Sequence, residues 1–251
     1  MNCNVFDLSG RTALVTGSSR GIGKAAALLL GRAGAHVIFH GVRMSDPLRE
    51  TVEQAEKEKI SCSVVTGNLA EEAEVEKVAD ECGKKVDILV LNASVQEYMH
   101  LRDFDSKEFE REINTNLRSA CLLLKRLLPP MQERKWGRVI NVGSVNQLRP
   151  AARLTVYSAT KAALQNLMVN VAKEYAPNGI TCNSIVPGII CTDRNRRILA
   201  DPAWLPKLQA MVPAGRFGAP EDCAGAILLL ASEAGSYITG AEIPIAGGMQ
   251  L

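Results

Sequence analysis

Residues 12–34 read TALVTGSSRGIGKAAALLLGRAG. The run "TALVT" (12–16) is too short for a helix and rich in residues that suit a buried strand. Glycines at 17, 21 and 23 follow, and the Ala- and Leu-rich stretch after them favours a helix. A strand that is apolar on both faces must be covered on both faces. Strand, glycine turn and helix therefore read as the opening unit of a parallel α/β sheet.

The alternation continues along the chain. "HVIFH" (36–40) is a strand, 46–59 a charged helix, and "CSVVT" (62–66) a strand. Residues 71–83 read as a helix and "VDILVL" (86–91) as a buried strand. A long helix from 107 to 129 is expected to end at Pro129-Pro130, because proline donates no backbone hydrogen bond. "RVINVG" (138–143) is the next strand, 156–176 a long helix, and "GITCNSIV" (179–186) a strand. A helix at 220–232 and a strand near 242–245 close the series. Six or seven such units predict one doubly wound α/β domain over residues 1–251. The single long irregular stretch is 189–219, with Pro202, Pro206, Pro213 and the basic cluster "DRNRR"; such segments serve as lids or binding loops.

Composition narrows the function. The chain has 251 residues, 47% hydrophobic and 22% charged, enough for a large core without disulfides or metal. Net charge is +2, aromatics are 4%, and no basic run interleaved with aromatics occurs, which argues against nucleic acid as a partner. The seven cysteines (3, 62, 82, 121, 182, 191 and 223) are odd in number and form no CxxC pair. They read as free thiols in a reducing compartment, with neither a disulfide framework nor a metal site. "MNCNVFDLSGR" lacks a signal-peptide core, and no apolar run spans a bilayer. The expectation is a cytoplasmic protein without membrane contact.

The turn "TGSSRGIG" has the spacing TGxxxGxG. Gly17, Gly21 and Gly23 let backbone N–H groups approach a pyrophosphate at the positive end of the following helix. An ordinary strand–helix loop is the alternative, and the position after the first strand favours phosphate. Dinucleotide sites that take NAD usually place an acid at the end of the second strand. Here that strand runs into "FHGVR", with no acid before Asp46. Arg20 in the turn and Arg43 past the strand can meet a 2′-phosphate, which favours NADP(H). As plain surface arginines they would leave NAD(H) open.

"YSATK" puts Tyr157 and Lys161 on one helix face. With "TGSSRGIG", "LNAS" (91–94), "INTNLRS" (113–119), "NVGSV" (141–145) and "IVPGIICT" (185–192), in that order, the chain resembles the short-chain dehydrogenase/reductase family nearly end to end. The resemblance implies a Rossmann-like parallel sheet of about seven strands with helices on both faces. It implies a nicotinamide cofactor and a small-molecule carbonyl or alcohol substrate. Tyr157 becomes the general acid or base, Ser144 the residue that holds the substrate oxygen, and Lys161 a ligand of the nicotinamide ribose. Asn116 fixes a water that relays protons to Lys161. A free phenol titrates near about 10, and the adjacent ammonium is expected to lower that value.

The resemblance further places Ser19 and Ile22 in the cofactor turn. Asn68 and Leu69 stand at the adenine, and Asn92, Ala93 and Ser94 along the cofactor. Pro187, Gly188, Ile190 and Thr192 bracket the nicotinamide. Leu91 and Ser94 depart from the family's Asn-Asn-Ala-Gly pattern; the Ser94 hydroxyl either shifts the local path or gains a contact. The relatives' packing implies a homotetramer, with a dimer as the alternative. Substrate choice falls to 145–156 and to the loop 189–216, where Gln147, Arg153 and Arg194 join Ser144 and Tyr157. These side chains suit a polar substrate such as a sugar, polyol, keto acid or 3-oxoacyl group, unless the arginines face solvent. A non-catalytic dinucleotide-binding regulator is the competing function, and the complete Ser144, Tyr157, Lys161 and Asn116 set speaks against it.

Overall fold

The computed structural model describes residues 4–103 and 105–251; Cys3 lies outside them. The elements run β1 (Thr12–Val15), α1 (Gly21–Arg32), β2 (His36–Gly41), α2 (Asp46–Lys57), β3 (Cys62–Thr66), α3 (Glu72–Cys82) and β4 (Ile88–Leu91). Then come α4 (Ser106–Ile113), α5 (Ser119–Arg134), β5 (Gly137–Val142), α6 (Thr155–Tyr175) and β6 (Ile180–Pro187). The chain closes with α7 (Arg196–Leu199), α8 (Leu205–Ala210), α9 (Pro220–Ala231) and β7 (Glu242–Ile245). The seven strands form one sheet in the order β3-β2-β1-β4-β5-β6-β7, and every pairing is parallel.

Alternation along each strand feeds two cores. Leu14, Leu89, Leu91 and Val139 point to a layer shared with α3, α5 and α6, through Val78, Leu123, Leu127, Leu164 and Met168. Ala13, Val15, Ile88, Val90 and Ile140 point to the layer under α1, α2 and α9, through Ala27, Leu30, Leu48, Ile227 and Leu230. This is why the strands read as continuous apolar runs. The order in which strands are added across the sheet reverses at β1: β2 lies on one side and β4 on the other. The loops leaving β1 and β4 therefore diverge, and the crevice between them is where an open α/β sheet binds ligands.

Two expectations are corrected. The helix expected at 107–129 is a longer column broken by one π-helical turn, Asn114–Arg118, and it runs through both prolines to Arg134. Pro129 and Pro130 cost the carbonyls of Lys125 and Arg126 their helical donors, but those two residues are exposed, where water serves instead. The buried stripe Leu124, Leu127, Leu128 and Met131 holds the last turn down. The segment 189–219 is more ordered than its proline content suggested. It contains α7 and α8, and a parallel bridge from Ile190 to Gly218 closes its base.

Candidate active site

The β1–α1 turn is built so that nothing larger than glycine fits. Gly17 and Gly21 have φ of 63° and 57°, in the left-handed region. A Cβ on Gly23 would lie 2.4 Å from Gly17 O and 2.5 Å from Asn92 Nδ2. Asn92 is committed to the turn: its Nδ2 donates to Thr16 O (2.8 Å) and Gly17 O (3.0 Å). Thr16 Oγ1 accepts in return from the N–H groups of Asn92 (2.9 Å) and Ala93 (3.0 Å). The loops leaving β1 and β4 are thus cross-linked at the point where they diverge.

His40 completes this brace and carried no signal in the sequence. Its Nδ1 accepts from Gly17 N–H at 3.1 Å, so Nε2 carries the proton toward Gly67 O at 3.2 Å. Burial pushes its pKa from 6.5 down to about 4, which keeps the ring neutral and the acceptor available. Behind the turn, α1 starts with no acid in its first turn and no side-chain cap. Uncapped N–H groups, a positive helix end and a glycine surface are the donor set that suits a diphosphate, so the residues present fit a dinucleotide.

The other expected cofactor residues are placed as follows. Arg20 is the N-cap of α1 and lies 3.6 Å from Asp193; Arg43 is exposed just past β2. Ser19 O accepts from Thr51 Oγ1 at 2.9 Å, and Ile22 packs against the α1-side core. Asn68 Oδ1 accepts from Ala70 N–H at 3.2 Å. Leu69, expected at the adenine, has its side chain 4% exposed in the opposite core, which leaves its backbone to face a ligand. Gly188 N–H donates to Ile245 O at 3.1 Å, and a Cβ there would lie 2.9 Å from Ala246 Cα. Ile190 is buried, and the Thr192 methyl would be 3.2 Å from a Cβ on Gly21. The segment after Pro187 therefore folds back onto the glycine turn.

Ser144, Tyr157, Lys161 and Asn116 converge at the C-terminal ends of β4 and β5, and all four are buried. Ser144 Oγ accepts from the backbone and side-chain nitrogens of Asn146, both at 3.2 Å. Lys161 Nζ donates to Val142 O at 2.8 Å and lies 5.7 Å from the centre of the Tyr157 ring. The π turn presents Asn116 inward, where its Oδ1 accepts from Val95 N–H (2.8 Å) and its Nδ2 donates to Val95 O (2.9 Å) and Thr160 Oγ1 (3.2 Å). Asn116 thus clasps the loop after β4 to α6, and one Oδ1 lone pair is left for a water.

The expected lowering of the phenol by Lys161 is reversed. Burial pushes Tyr157 above its ordinary value, while the Arg194 charge and the side chains of Ser144 and Arg194 pull it back. Lys161 does not act on it as a fixed cation, because burial, reinforced by the Arg194 charge, brings the ammonium down to about 7. Arg194, a residue of the lid, is a cation that pulls the phenol down.

One further side chain was missed as part of the site. Glu112, at the end of α4, is 1% exposed and accepts from Glu97 N–H at 2.8 Å, a second clasp on the loop after β4. Burial raises its carboxyl pKa. Ser94 gains a contact in place of the family's usual glycine: its O and Oγ accept from Arg194 Nη2 at 2.7 and 3.0 Å. Among the substrate candidates, Gln147 is corrected. Its Oε1 accepts from Ser144 N–H (3.0 Å) and its Nε2 donates to Glu242 (2.9 Å), so the amide fixes the Ser144 turn instead of facing a substrate. Arg153, exposed at φ 71°, holds Met99 N–H through its carbonyl.

The family model described as Enoyl-(Acyl carrier protein) reductase matches residues 17–250. The L-rhamnose 1-dehydrogenase (NAD(P)(+)) of Sphingomonas sp. SKA58 is 35% identical over 96% of this chain and 97% of its own. A 3-oxoacyl (acyl-carrier-protein) reductase from Agrobacterium tumefaciens C58, solved with NADP bound, superposes with a TM-score of 0.93. It is 41% identical and covers 97% of this chain and 96% of its own. A gluconate 5-dehydrogenase from Burkholderia cenocepacia J2315, solved with NADP and tartrate, gives a TM-score of 0.92 at 30% identity over 98% and 97% of the two chains. Agreement of that length makes the chain a member of the short-chain dehydrogenase/reductase family and hence an NAD(P)-dependent oxidoreductase acting on a carbonyl/alcohol pair.

Proposed function

We propose that Tyr157, Ser144 and Lys161, positioned by Asn116, interconvert a carbonyl and a secondary alcohol on a polar substrate, with NADP(H) preferred over NAD(H). One observation carries this reading. A buried phenol and a buried lysine share one turn of α6, beside a buried serine at the end of β5. Burying polar groups is costly unless they are hydrogen-bonded, and here three are buried together.

When bound, a reduced nicotinamide supplies the hydride to the carbonyl carbon. Ser144 Oγ–H holds the substrate oxygen, and Tyr157 Oη–H gives it the proton. In the oxidising direction Tyr157 takes the alcohol proton. Lys161, near about 7, exchanges protons readily at neutral pH and can restore the phenol. The relay expected from the resemblance needs a water on the remaining Oδ1 lone pair of Asn116.

Gly17, Ser19, Gly21, Ile22 and Gly23 would hold the diphosphate. Arg20 and Arg43 would hold the 2′-phosphate, and Asn68 and the Leu69 backbone the adenine. Ala93, Ser94, Pro187, Gly188, Ile190 and Thr192 would line the nicotinamide side, with Lys161 on the ribose. The absence of an acid between Gly41 and Ser45 and the NADP found in solved relatives support NADP(H). The relatives' sugar, sugar-acid and 3-oxoacyl substrates support a polar substrate. The polar and cationic groups at Ser94, Arg153 and Arg194 support it independently. We place the enzyme in the cytoplasm as a homotetramer. Six described cysteines are free and no described helix is long and apolar enough to cross a membrane.

The test is a fluorescence titration with NADPH and NADH, followed by turnover of the wild type and Tyr157→Phe on a panel of hydroxylated ketones and oxo acids. The expected result is tighter NADPH binding, kept in the variant, with kcat down about 10³-fold. Preference for NADH would overturn the roles given to Arg20 and Arg43. A variant as active as the wild type would overturn the role of Tyr157.

A further inference from the structure

The arginines in and around the lid differ in how their charge is met. Arg20 and Arg196 pair with Asp193, and Arg216 pairs with Asp222 at 2.6 Å. Arg194 has no carboxylate within ion-pair distance among the described residues. Its hydrogen bonds go to the neutral Ser94 O and Oγ. Those bonds use Nη2 and hold the guanidinium across the mouth, tying residues 100 positions apart in sequence. The same guanidinium reaches the Tyr157 hydroxyl. Glu112, a buried acid that also acts on Tyr157, has one oxygen occupied by Glu97 N–H. The result is an un-neutralised, pre-oriented cation beside the group that handles the substrate oxygen.

We infer that Arg194, held in place by Ser94, is a specificity residue that binds a carboxylate one or two carbons from the reacting carbon of the substrate. The distance follows from geometry. A group that meets both the phenol and the guanidinium must carry its charged end next to the oxygen that Tyr157 serves. A carboxylate can still take charge-assisted N–H···O bonds from the guanidinium nitrogens that Ser94 leaves free, and Ser94 removes the entropy of orienting the group. The preferred substrates are then 2- or 3-hydroxy acids and their oxo forms, and the equivalent neutral polyols bind poorly. This rests on the active-site reading above, but its test does not require turnover.

The probe is tartrate, a 2-hydroxy acid, against threitol, the same carbon skeleton with both carboxylates reduced to alcohols. Each is titrated calorimetrically into the wild type, with and without saturating NADP+. Tartrate is expected to bind about 10-fold tighter than threitol, as one charge-assisted contact provides. Arg194→Met should bring the ratio close to one, Arg194→Lys should restore part of it, and Ser94→Ala should lower it a few-fold. Arg194 is exposed, and circular dichroism checks that the variants fold. Equal binding of the two probes by the wild type, no measurable tartrate binding, or a ratio that survives Arg194→Met would each overturn the inference. Loss of NADP+ binding alone would count against the enzymatic reading and leave the tartrate ratio to decide this one.

Discussion

The glycine turn and the lid face each other across the same crevice, and they are held in opposite ways. The turn is fixed by backbone contacts and short buried hydrogen bonds: Gly23 against Gly17 O, Asn92 on Thr16 and Gly17, His40 on Gly17 and Gly67. The lid, 189–216, is fixed at its base by the Ile190–Gly218 bridge and beyond that largely by exposed arginines. A surface common to every substrate can be rigid. A surface that selects and releases substrates must be drawn from weaker contacts.

A glycine exchanged on each side breaks or confirms that contrast. Gly23→Ala puts a methyl 2.4 Å from a backbone oxygen that Asn92 also holds, so the turn must deform. Overpacking of this kind costs about 3 kcal/mol, which in a chain of this size lowers Tm by about 6–10 °C. NADPH binding should be lost with it. Gly215→Ala in the lid meets no atom within 4 Å and pays only for its φ of 70°, about 1 kcal/mol. Its Tm should fall by about 3 °C with NADPH affinity intact. Thermal shift and a fluorescence titration on both variants decide it. Equal losses would mean that the lid is as rigid as the turn.

His40 gives the turn a pH dependence. Its pKa falls from 6.5 to about 4 on folding, so the unfolded chain binds a proton that the folded chain refuses across that window. Stability is complete above pH 6.5 and declines as pH falls toward 4, by up to about 3 kcal/mol. His40→Asn, which does not titrate there, should flatten the slope of Tm against pH between 6.5 and 4. An unchanged slope would assign the acid sensitivity elsewhere.

What could be read from the sequence follows the same division. Glycine spacing, strand alternation and the Tyr157–Lys161 pair are local patterns, and the sheet came from them directly; Ser144 and Asn116 came from the resemblance to the family. His40 did not, because its partners Gly17 and Gly67 lie 23 and 27 positions away and nothing near it marks the ring as buried. The π turn at Asn114–Arg118 has no composition of its own; it exists because Asn116 finds Val95 and Thr160. Pro129-Pro130 reads locally as a stop, but the buried leucines before them and Met131 after them outweigh two missing hydrogen bonds. Gln147 looked like a pocket residue until Ser144 N–H and Glu242 claimed its amide. The electrostatics of Tyr157 were misjudged for a related reason: a lysine four residues away is visible in sequence, whereas burial and an arginine from another segment are not.

Arg20 and Arg43 give the smallest effects, and they separate two kinds of surface charge. Arg43 is exposed beside the end of β2 with no ion pair among the described residues, so a 2′-phosphate would be its first anionic partner. Arg43→Ala should weaken NADPH binding about 10-fold and leave NADH unchanged, as loss of one charge-assisted bond predicts. Arg20 already has Asp193 at 3.6 Å, with the two side chains 66% and 40% exposed. Breaking so exposed a pair should move Tm by no more than about 1 °C. A cofactor phosphate must compete with Asp193 for Arg20, so Arg20→Ala should cost NADPH only a few-fold, less than Arg43→Ala, and NADH less still. If Arg20→Ala proved the more damaging of the two, Asp193 would be orienting the guanidinium toward the phosphate instead of competing for it. The exposed side of the lid would then be as pre-organised for its ligand as the turn beneath it.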